Sequence, residues 1–437
     1  MSERITVLGG GLAGCEAAWA IAGAGVAVTL VEMKPHKYTP AHHAPLFAEL
    51  VCSNSLKAAR LDSAAGLLKE EMAQMGSLCV AVARECSVPA GGALAVDRDR
   101  FSEEVTRRIT AHPLITVEHR EVTVLPQEGL TVVATGPLTA DALAADMVRV
   151  FGDGLSFYDA AAPIVTAESV DMSVAFRASR YDREQSGQGD YINCPLNKAE
   201  YEAFHEALVT ADIAHLHAFD KPKVYEGCMP IEVLARRGID AIRFGPMKPV
   251  GLRDPRTGHR PWAVLQLRTE NADGTLYNLV GFQTNLKFSE QKRVFSLIPA
   301  LAHAEFARYG VMHRNTFLDS PRLLTQEFRC KSLPHLFFAG QMTGVEGYME
   351  SAASGILAGQ NAVRALRGQA PLLLPPETMM GALSAHITDT SVKEFQPMGA
   401  NFGVLPPLNQ PIRDKRERYA ALSARALDKL KEALLCE

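Results

Sequence analysis

Two cysteines stand in settings that suit a reactive thiol. Cys52 lies in Leu-Val-Cys-Ser-Asn-Ser-Leu-Lys, and Cys228 lies in Tyr-Glu-Gly-Cys-Met-Pro-Ile-Glu. Both have polar or turn-forming neighbours, and a thiol becomes a nucleophile when a cation or a helix N-terminus lowers its pKa. On context alone, a single cysteine is more often a packing residue than a catalytic one. Free cysteine in apolar surroundings behaves as a small hydrophobe, which is the role we expect for Cys15, Cys79 and Cys86.

A glycine-rich turn near the N-terminus predicts a dinucleotide site. The pattern runs from an apolar strand at residues 4–8 through Gly9-Gly10-Gly11-Leu12-Ala13-Gly14, a helix at 15–22 and a strand at 26–31. Gly9 permits the tight turn, Gly11 lets the backbone approach a pyrophosphate, and Gly14 lets helix and strand pack closely. The helix N-terminus offers N–H groups to phosphates. Glu32, at the end of the second strand, is placed to accept a hydrogen bond from a ribose hydroxyl.

The remaining strands of this nucleotide domain lie far along the chain. A strand at 131–134 runs into Ala-Thr-Gly, and a strand at 335–339 runs into Gly340 about two hundred residues later. A Gly- and Ala-rich helix at 351–366 follows and is suited to close approach by a ligand. This layout resembles the α/β, Rossmann-like FAD-binding domain of the glutathione-reductase type. No second Gly-x-Gly-x-x-Gly occurs, so we expect FAD and no separate NAD(P)H domain.

The FAD-binding domain is therefore predicted to be discontinuous, with residues 1–170 and 323–437 flanking an inserted α+β domain at 171–322. Within the insertion, strands are predicted at 263–268 and 276–280, and helices at 201–211 and 291–309. The C-terminal residues 412–435 are compatible with an amphipathic helix. The domain boundaries are placed where the pattern changes to short strands joined by turn-forming residues.

Composition excludes several classes of protein. A chain of 437 residues suggests two or three domains, and 47% hydrophobic with 22% charged residues is typical of a soluble globular protein. The most apolar stretch, residues 17–31, is shorter than a membrane span. No secretory signal or Cys-x-x-Cys is present, so we expect a cytoplasmic protein with reduced thiols and no membrane contact. The histidines lack metal-ligand spacing, so no metal site is expected.

Charge is unevenly distributed. Lys+Arg minus Asp+Glu gives 45 − 49 = −4, which argues against indiscriminate coating of nucleic acid. Residues 221–293 nevertheless hold 13 basic and 7 acidic residues, a local excess of +6. A basic region on an acidic body is typical of a protein that binds a polyanion at one defined place. Chance clustering on a solvated surface is the alternative.

Six segments together carry a family resemblance. They are the glycine turn, Leu-Val-Cys-Ser-Asn-Ser-Leu (50–56), Tyr-Glu-Gly-Cys-Met-Pro-Ile-Glu (225–232), Arg-Phe-Gly-Pro-Met-Lys-Pro-Val-Gly-Leu (243–252), Met-His-Arg-Asn-Thr-Phe (312–317) and Phe-Phe-Ala-Gly-Gln-Met-Thr-Gly-Val-Glu-Gly-Tyr (337–348). The set resembles the bacterial folate- and FAD-dependent tRNA (uracil-5-)-methyltransferase family, nearly from end to end. One departure is Gly399, where this resemblance leads us to expect Asn.

The resemblance implies a reaction. Uracil C5 in the T loop of tRNA, at position 54, would receive a methyl group and become 5-methyluridine. The carbon would come from methylenetetrahydrofolate, the hydride from reduced FAD, and NAD(P)H would reduce the flavin. Uracil C5 becomes nucleophilic only when a thiolate adds to C6, and a base must then remove the C5 proton.

The resemblance also implies roles for individual residues. Cys228 would be the C6 nucleophile, and Cys52 would act near the flavin as proton acceptor or as a trap for the methylene; the reverse division stays open. Gly9 to Gly14 with Glu32 would hold the nucleotide part of FAD. The residues expected around the flavin and folate are Gly340, Gln341, Glu346 and Tyr348.

The insertion would be the side that meets tRNA and folate. Its cations Arg243, Lys248 and Arg253 would contact RNA phosphates or the folate glutamate tail, with salt bridges as the structural alternative. The target uridine lies inside folded RNA, so it should be turned out of its stack to reach the thiol.

Three other functions compete with this one. A flavoprotein that modifies C5 of the wobble uridine would share the FAD motifs, but it would carry a longer C-terminal extension. A flavin disulfide reductase would need a redox cysteine pair after the first helix, which the sequence lacks. A non-enzymatic, flavin-bearing tRNA-binding module would leave both thiols incidental. The sequence does not indicate an oligomeric state.

Overall fold

The protein is built from short strands and helices in mixed order. The computed structural model describes residues 4–152, 155–160, 162–182, 189–214, 229–269, 274–310, 312–391, 395 and 397–435. The strands are β1 (Arg4–Leu8), β2 (Ala27–Glu32), β3 (Ser55–Ala58), β4 (Ser87–Val88), β5 (Ala93–Val96), β6 (Ile115–His119), β7 (Thr131–Val133), β8 (Leu155–Ala160), β9 (Ile164–Thr166), β10 (Phe176–Arg177), β11 (Tyr191–Leu196), β12 (Ala263–Thr269), β13 (Leu276–Leu279), β14 (Phe306–Arg308), β15 (Met312–Phe317) and β16 (Leu336–Phe338). The helices are α1 (Leu12–Gly23), α2 (Ala64–Gln74), α3 (Leu78–Glu85), α4 (Arg98–Ala111), α5 (Asp141–Phe151), α6 (Lys198–Thr210), α7 (Ile231–Ala235), α8 (Ala241–Phe244), α9 (Phe288–Phe295), α10 (Ser320–Leu323), α11 (Tyr348–Leu366), α12 (Met379–Ile387) and α13 (Lys415–Leu435). None of the helices in these ranges has the length and apolar character needed to cross a lipid bilayer.

A parallel sheet of five strands carries the nucleotide fingerprint, in the order β16-β7-β1-β2-β6. Its central strand β1 pairs with β2 on one side and with β7 on the other. Alternate side chains point to opposite faces, so Ile5 and Val7 pack with α1 and α11, and Leu8 packs with α5. The predicted α/β class with a Rossmann-like FAD-binding part is confirmed, including the late return of the chain to this sheet through β16.

Helices α1 and α11 pack backbone against backbone on one face of this sheet. A Cβ at Gly355 would lie 2.1 Å from the Ala13 carbonyl oxygen, and one at Gly359 would lie 2.7 Å from that of Ala17. Neither position tolerates a larger residue. The expectation that this helix is rich in glycine to admit a ligand is therefore wrong for these two positions, because they admit α1 instead.

The parallel sheet with its helices forms one layered unit. An antiparallel sheet of six strands, in the order β10-β11-β12-β13-β9-β14, forms the second. Phe204 of α6 and Phe295 of α9 pack with Phe282 in a hydrophobic core that is separate from the core of the parallel sheet. The strands predicted at 263–268 and 276–280 correspond to β12 and β13, and the helix predicted at 201–211 corresponds to α6. The boundaries proposed at residues 170/171 and 322/323 stay a prediction.

The helix predicted over residues 291–309 is wrong. Helix α9 begins earlier and ends at Phe295, a single 3₁₀ turn occupies Pro299–Leu301, and β14 pairs with β9. Proline has no N–H to donate and its ring clashes with the preceding turn of a helix, so the chain cannot continue helically through Pro299. The apolar spacing of this segment instead serves the core of the six-stranded sheet.

A buried carboxylate joins α2 to α12. Glu71 is fully buried, and its two carboxylate oxygens accept hydrogen bonds from the N–H groups of Met379 (2.7 Å) and Met380 (2.9 Å) at the start of α12. These N–H groups have no partner inside their own helix. Burial nevertheless outweighs the two hydrogen bonds and raises the pKa of Glu71 to about 7.

This shift predicts a pH dependence of folding stability. The stabilisation from proton uptake is fully present below the ordinary pKa of 4.5 and is lost as the pH rises through about 7. At about 1.4 kcal/mol per pKa unit, the loss amounts to roughly 3 kcal/mol. The free energy of unfolding of Glu71→Gln, measured with urea between pH 4.5 and 8, should not show this decrease with rising pH.

The neighbouring, more exposed Glu70 supplies the control, because its carboxylate pairs with Arg84 at the surface. Glu70→Gln should keep the pH slope of the wild type. If the free energies of unfolding of wild type and Glu71→Gln run parallel over the whole range, Glu71 does not titrate as described.

Candidate functional site

A cleft opens at the carboxyl ends of β1, β7 and β16, above the start of α1. Its empty volume is about 900 Å³, including the part open to solvent, a size typical of cofactor sites. Most of the predicted cofactor residues line it, namely Gly9, Gly10, Gly11, Leu12, Ala13, Glu32, Gly340, Gln341 and Tyr348. Sequence reasoning missed other residues of its wall, among them Lys34, His42, Val51, Thr135 and Ser351.

Two glycines of the fingerprint are demanded by packing inside the protein. Gly9 has φ +101°, and a Cβ there would lie 2.5 Å from the Ala134 carbonyl oxygen. A Cβ at Gly14 would lie 1.8 Å from the Gly9 carbonyl oxygen. Gly14 therefore lies behind the turn and not on the cleft wall. These two positions match the tight-turn and close-packing roles predicted for them.

Gly11 differs, because it faces open space. A Cβ at this position would meet no heavy atom within 4 Å, and its backbone (φ −74°, ψ −176°) is accessible to any residue. Gly11 is the N-cap of α1 and has no side chain to cap it, so the first N–H groups of the helix remain available to an acceptor. An empty cradle before a helix N-terminus fits the pyrophosphate of FAD.

Glu32 ends β2 at the edge of the cleft and is 8% exposed. One carboxylate oxygen accepts a hydrogen bond from Gly10 N (2.6 Å), and the other accepts from Lys34 N (2.9 Å). The side chain therefore holds the glycine turn in place. Each oxygen keeps a second lone pair, so the predicted bond from a ribose hydroxyl is compatible with both contacts.

The other end of the cleft is formed by the turn after β16 and the first turn of α11. Gly340 has φ +88°, and its N–H donates to Ser354 Oγ (2.7 Å). Gln341 lines the cleft and donates from Nε2 to the carboxylate of Glu346 (3.0 Å). Glu346 is 7% exposed and is not among the residues that line this cleft. Its carboxylate thus helps to orient the wall residue Gln341.

Cys52 meets Tyr348 at this end. The Tyr348 hydroxyl accepts a hydrogen bond from Cys52 N (2.8 Å) and lies 2.9 Å from Cys52 Sγ. Burial, with a smaller effect of Cys52, raises the pKa of Tyr348 well above its usual value. The phenol therefore keeps its proton at neutral pH. It can donate that proton to the sulfur while accepting from the backbone, which is the arrangement that stabilises a thiolate.

The turn after Cys52 is tied to the six-stranded sheet, a connection that sequence reasoning missed. Asn54 is fully buried; its Nδ2 donates to Thr269 O (2.8 Å), and its Oδ1 accepts from Arg268 Nε (2.9 Å). Arg268 also donates to Ser53 Oγ (2.7 Å). The Cys-Ser-Asn motif contains two of these residues. No local signal points to Arg268, because its contacts depend on strand β12 reaching this loop.

Cys228, the predicted nucleophile, lies outside the described residues. Both flanks of its segment are anchored near one point, because Ala214 N donates to Asn285 O (2.8 Å) and Ile231 N donates to Gln283 O (2.7 Å). Next to Ile231, the buried Glu232 accepts from Asn285 N (2.9 Å). The described residues on both sides of this segment therefore lie next to residues 283–285.

The other described cysteines are buried, namely Cys15, Cys79, Cys86, Cys194 and Cys330. For Cys15, Cys79 and Cys86 this agrees with the packing role that their apolar sequence contexts predicted. Burial raises the pKa of the thiols of Cys15, Cys79 and Cys194. A buried thiol with a raised pKa is inert. Cys52 is thus the one cysteine in the described part of the chain that is both partly exposed and next to the cleft.

Gly399, the departure from the family pattern, lies beside the start of α11. A Cβ there would lie 3.0 Å from Glu346 O and 3.4 Å from Lys57 Nζ. Lys57 Nζ forms an ion pair with the buried Glu350 (2.6 Å). The space that a larger residue would need is therefore narrow, and this ion pair borders it.

No three side chains of the metal-ligating types come together in the part of the chain that the structure describes.

Comparisons with known proteins give one family. The family model described as glucose inhibited division protein A matches residues 4–370. The chain is 59% identical over 425 residues to the methylenetetrahydrofolate–tRNA-(uracil-5-)-methyltransferase TrmFO of Lactiplantibacillus plantarum, covering 97% of this chain and 95% of the relative. The proteins of the same name from Pelotomaculum thermopropionicum (58%, covering 99% of both chains) and Geobacter sulfurreducens (56%, covering 98% of both) are similarly close.

Solved structures show the same fold. Two crystal forms of GidA from Aquifex aeolicus align with a TM-score of 0.70 at 16% and 17% identity. The alignments cover 98% of this chain and 73% and 78% of the GidA chains. At this identity the likeness concerns the fold alone.

The contrast between Gly11 and Gly14 yields a prediction. Gly11→Val should fold normally but fill the cradle, so we expect it to lose bound FAD, measured as flavin absorbance and by FAD titration. Gly14→Ala should instead lower the free energy of unfolding by roughly 1–3 kcal/mol, because its Cβ overlaps the Gly9 carbonyl.

Gly23→Ala is the matched control, since a Cβ at Gly23 meets nothing within 4 Å. It should retain FAD and stability. Retention of FAD by Gly11→Val would show that the cofactor phosphates bind elsewhere.

Proposed function

This chain belongs to the glucose inhibited division protein A family, and on that premise we propose that it is a methylenetetrahydrofolate-dependent tRNA (uracil-5-)-methyltransferase that uses FAD. The observation that carries the proposal is the identity of 56–59% to relatives of that name, aligned over at least 97% of this chain. The cleft and the Cys52–Tyr348 pair supply the parts that such a reaction requires.

FAD would be held by residues with suitable geometry. Gly11 and the N-terminus of α1 would receive the pyrophosphate, and Glu32 would accept from the ribose. Gly340, Gln341 and Tyr348 would border the flavin and the folate. When bound and reduced, the flavin supplies the hydride that turns the transferred methylene into a methyl group.

The thiols would activate the uracil. Addition of a Cys228 thiolate to C6 breaks the C5–C6 double bond and makes C5 a nucleophile. After the methylene carbon is attached to C5, a base removes the C5 proton and the bond from that carbon to the tetrahydrofolate nitrogen breaks, the nitrogen keeping the electron pair. Once the carbon has received the hydride, the C5–C6 double bond re-forms and the Cys228 sulfur leaves with its electron pair. We assign the proton removal to Cys52, whose sulfur can accept a hydrogen bond from the Tyr348 hydroxyl. Glu346 would act indirectly, because its carboxylate accepts a hydrogen bond from Gln341 and orients that side chain.

Finer features of the substrate and conditions are part of the same proposal. We assign the target to the uridine at position 54 in the T loop of tRNA and the reductant to NAD(P)H, which would reach the flavin without a dedicated domain. We place the enzyme in the cytoplasm, where its thiols stay reduced. Residues 171–322 would meet tRNA and folate, with the FAD-binding domain made of residues 1–170 and 323–437.

A reconstituted reaction tests the proposal. The holoenzyme, given a T-loop-containing tRNA transcript, methylenetetrahydrofolate and NADPH, should form 5-methyluridine at one position, identified by nuclease mapping and mass spectrometry. Cys228→Ala should abolish the product and keep FAD, because no thiolate reaches C6. Cys86→Ala, a buried cysteine away from the cleft, should retain activity.

Three outcomes would contradict this function. Methylation with S-adenosylmethionine only would remove folate as the carbon donor. Modification at the wobble position would favour the wobble-uridine flavoprotein. Normal turnover by Cys228→Ala would remove Cys228 as the nucleophile.

The Tyr348 hydroxyl yields a separate prediction. Tyr348→Phe should slow turnover roughly tenfold or more at unchanged FAD content, because a hydrogen bond to a charged sulfur is worth about 1.5–3 kcal/mol. Alkylation of Cys52 by iodoacetamide at pH 7, followed by peptide mass spectrometry, should slow in parallel.

Tyr38→Phe is the control, as Tyr38 is a surface tyrosine with 39% exposure. It should leave both rates unchanged. If Tyr348→Phe alkylates and turns over like wild type, the hydroxyl does not assist Cys52.

A further inference from the structure

A strongly basic surface covers residues 236–260. This segment contains seven lysine and arginine residues and two aspartates, a net charge of +5. Six of its seven cations are exposed, namely Arg236, Arg237, Lys248, Arg253, Arg256 and Arg260. Arg256 is paired with Asp254 at 2.8 Å. The segment therefore presents a concentrated positive potential to solvent.

Within this basic surface, one arginine is fixed between two aromatic rings. The guanidinium carbon of Arg243 lies 3.9 Å from the ring centre of Trp262 and 5.2 Å from that of Phe244. Arg243 Nε also donates to Trp262 O (3.0 Å), and Asp240 lies 3.5 Å from the guanidinium. These contacts hold the planar group in a single orientation.

Phe244 is the exposed end of this stack. It is the last residue of α8 and is 72% exposed, although its ring could gain free energy by burial. Lys198 lies over the Trp262 ring at 5.7 Å and adds a further cation. An open aromatic ring amid fixed cations is the combination that binds unpaired nucleobases, since every base has a π face and every nucleotide a phosphate.

We propose that Phe244, supported by Arg243 and Trp262, is a stacking site for an unpaired base of the tRNA substrate. The inference rests on the proposed function and adds to it a contact outside the reaction centre. RNA is favoured over a protein partner because the surrounding charge of +5 complements phosphate.

The position of the stack separates it from the target uridine. Strand β12 begins at Ala263, next to Trp262, and ends at Thr269, whose carbonyl accepts from Asn54 in the Cys52 loop. A strand of seven residues spans about 20 Å. The stacked base therefore belongs to a nucleotide other than the target and not adjacent to it, and it contributes to binding, not to chemistry.

Binding measurements on the full-length holoenzyme test this site. Phe244→Ala should weaken binding of a tRNA transcript by roughly tenfold, whereas Phe244→Trp should bind within about twofold of wild type. The loss should not alter the salt dependence, because no phosphate contact is removed. Lys248→Gln should instead lower the slope of log affinity against log salt by about one.

Two controls make the result specific to stacking. Phe288→Ala removes another phenylalanine with 56% exposure, outside residues 236–260, and should bind tRNA like wild type. A fully paired RNA duplex offers no free base, so wild type and Phe244→Ala should bind it equally. At saturating tRNA, Phe244→Ala should turn over at the wild-type kcat with a raised KM.

The outcomes separate this inference from the proposed function. If wild type binds tRNA and Phe244→Ala binds it equally, the stacking site is wrong and the methyltransferase proposal is untouched. Equal weakening on the duplex would also overturn stacking. Lost self-association in Phe244→Ala at unchanged tRNA affinity, seen by sedimentation, would assign the ring to a protein contact. A wild type that binds no tRNA would overturn both proposals.

Discussion

The close approach of α1 and α11 is the constraint on which the cleft depends. Gly355 and Gly359 let α11 lie directly against the carbonyls of Ala13 and Ala17. Any side chain at either glycine would push the two helices apart. Because the helices are locked together, the glycine turn before α1 and Tyr348 at the start of α11 reach the same cleft. Residues more than 330 positions apart thus form one site.

The Cys52 loop is the second meeting point, and it joins both layered units. Tyr348, from the parallel-sheet unit, binds the backbone and sulfur of Cys52. Arg268, from the antiparallel sheet, binds Ser53 and Asn54. A displacement of one sheet relative to the other would therefore change the contacts around the Cys52 sulfur. The side-chain contacts of this loop therefore fix the position of the Cys52 thiol relative to both sheets.

Prediction succeeded where neighbouring residues carry the signal. The strand, glycine turn, helix and acidic residue of residues 4–32 were readable because their roles depend on local backbone geometry. Prediction failed over residues 291–309, where apolar spacing suggested a long helix but Pro299 ends it and the core of the second sheet uses the same residues. The role expected for Glu346 at the flavin and folate stays a prediction; the structure adds that its carboxylate accepts a hydrogen bond from the cleft residue Gln341.

The sequence by itself determined the class of fold, the cofactor fingerprint and the motifs that mark the family, because each is written in consecutive residues. Tertiary structure alone decided that Cys52 touches Tyr348, 296 residues away, and that Arg268 supports its loop. It also decided that Gly11 faces a cleft while Gly14 faces the protein. These distinctions arise from packing between distant segments, which local propensities and spacings do not encode.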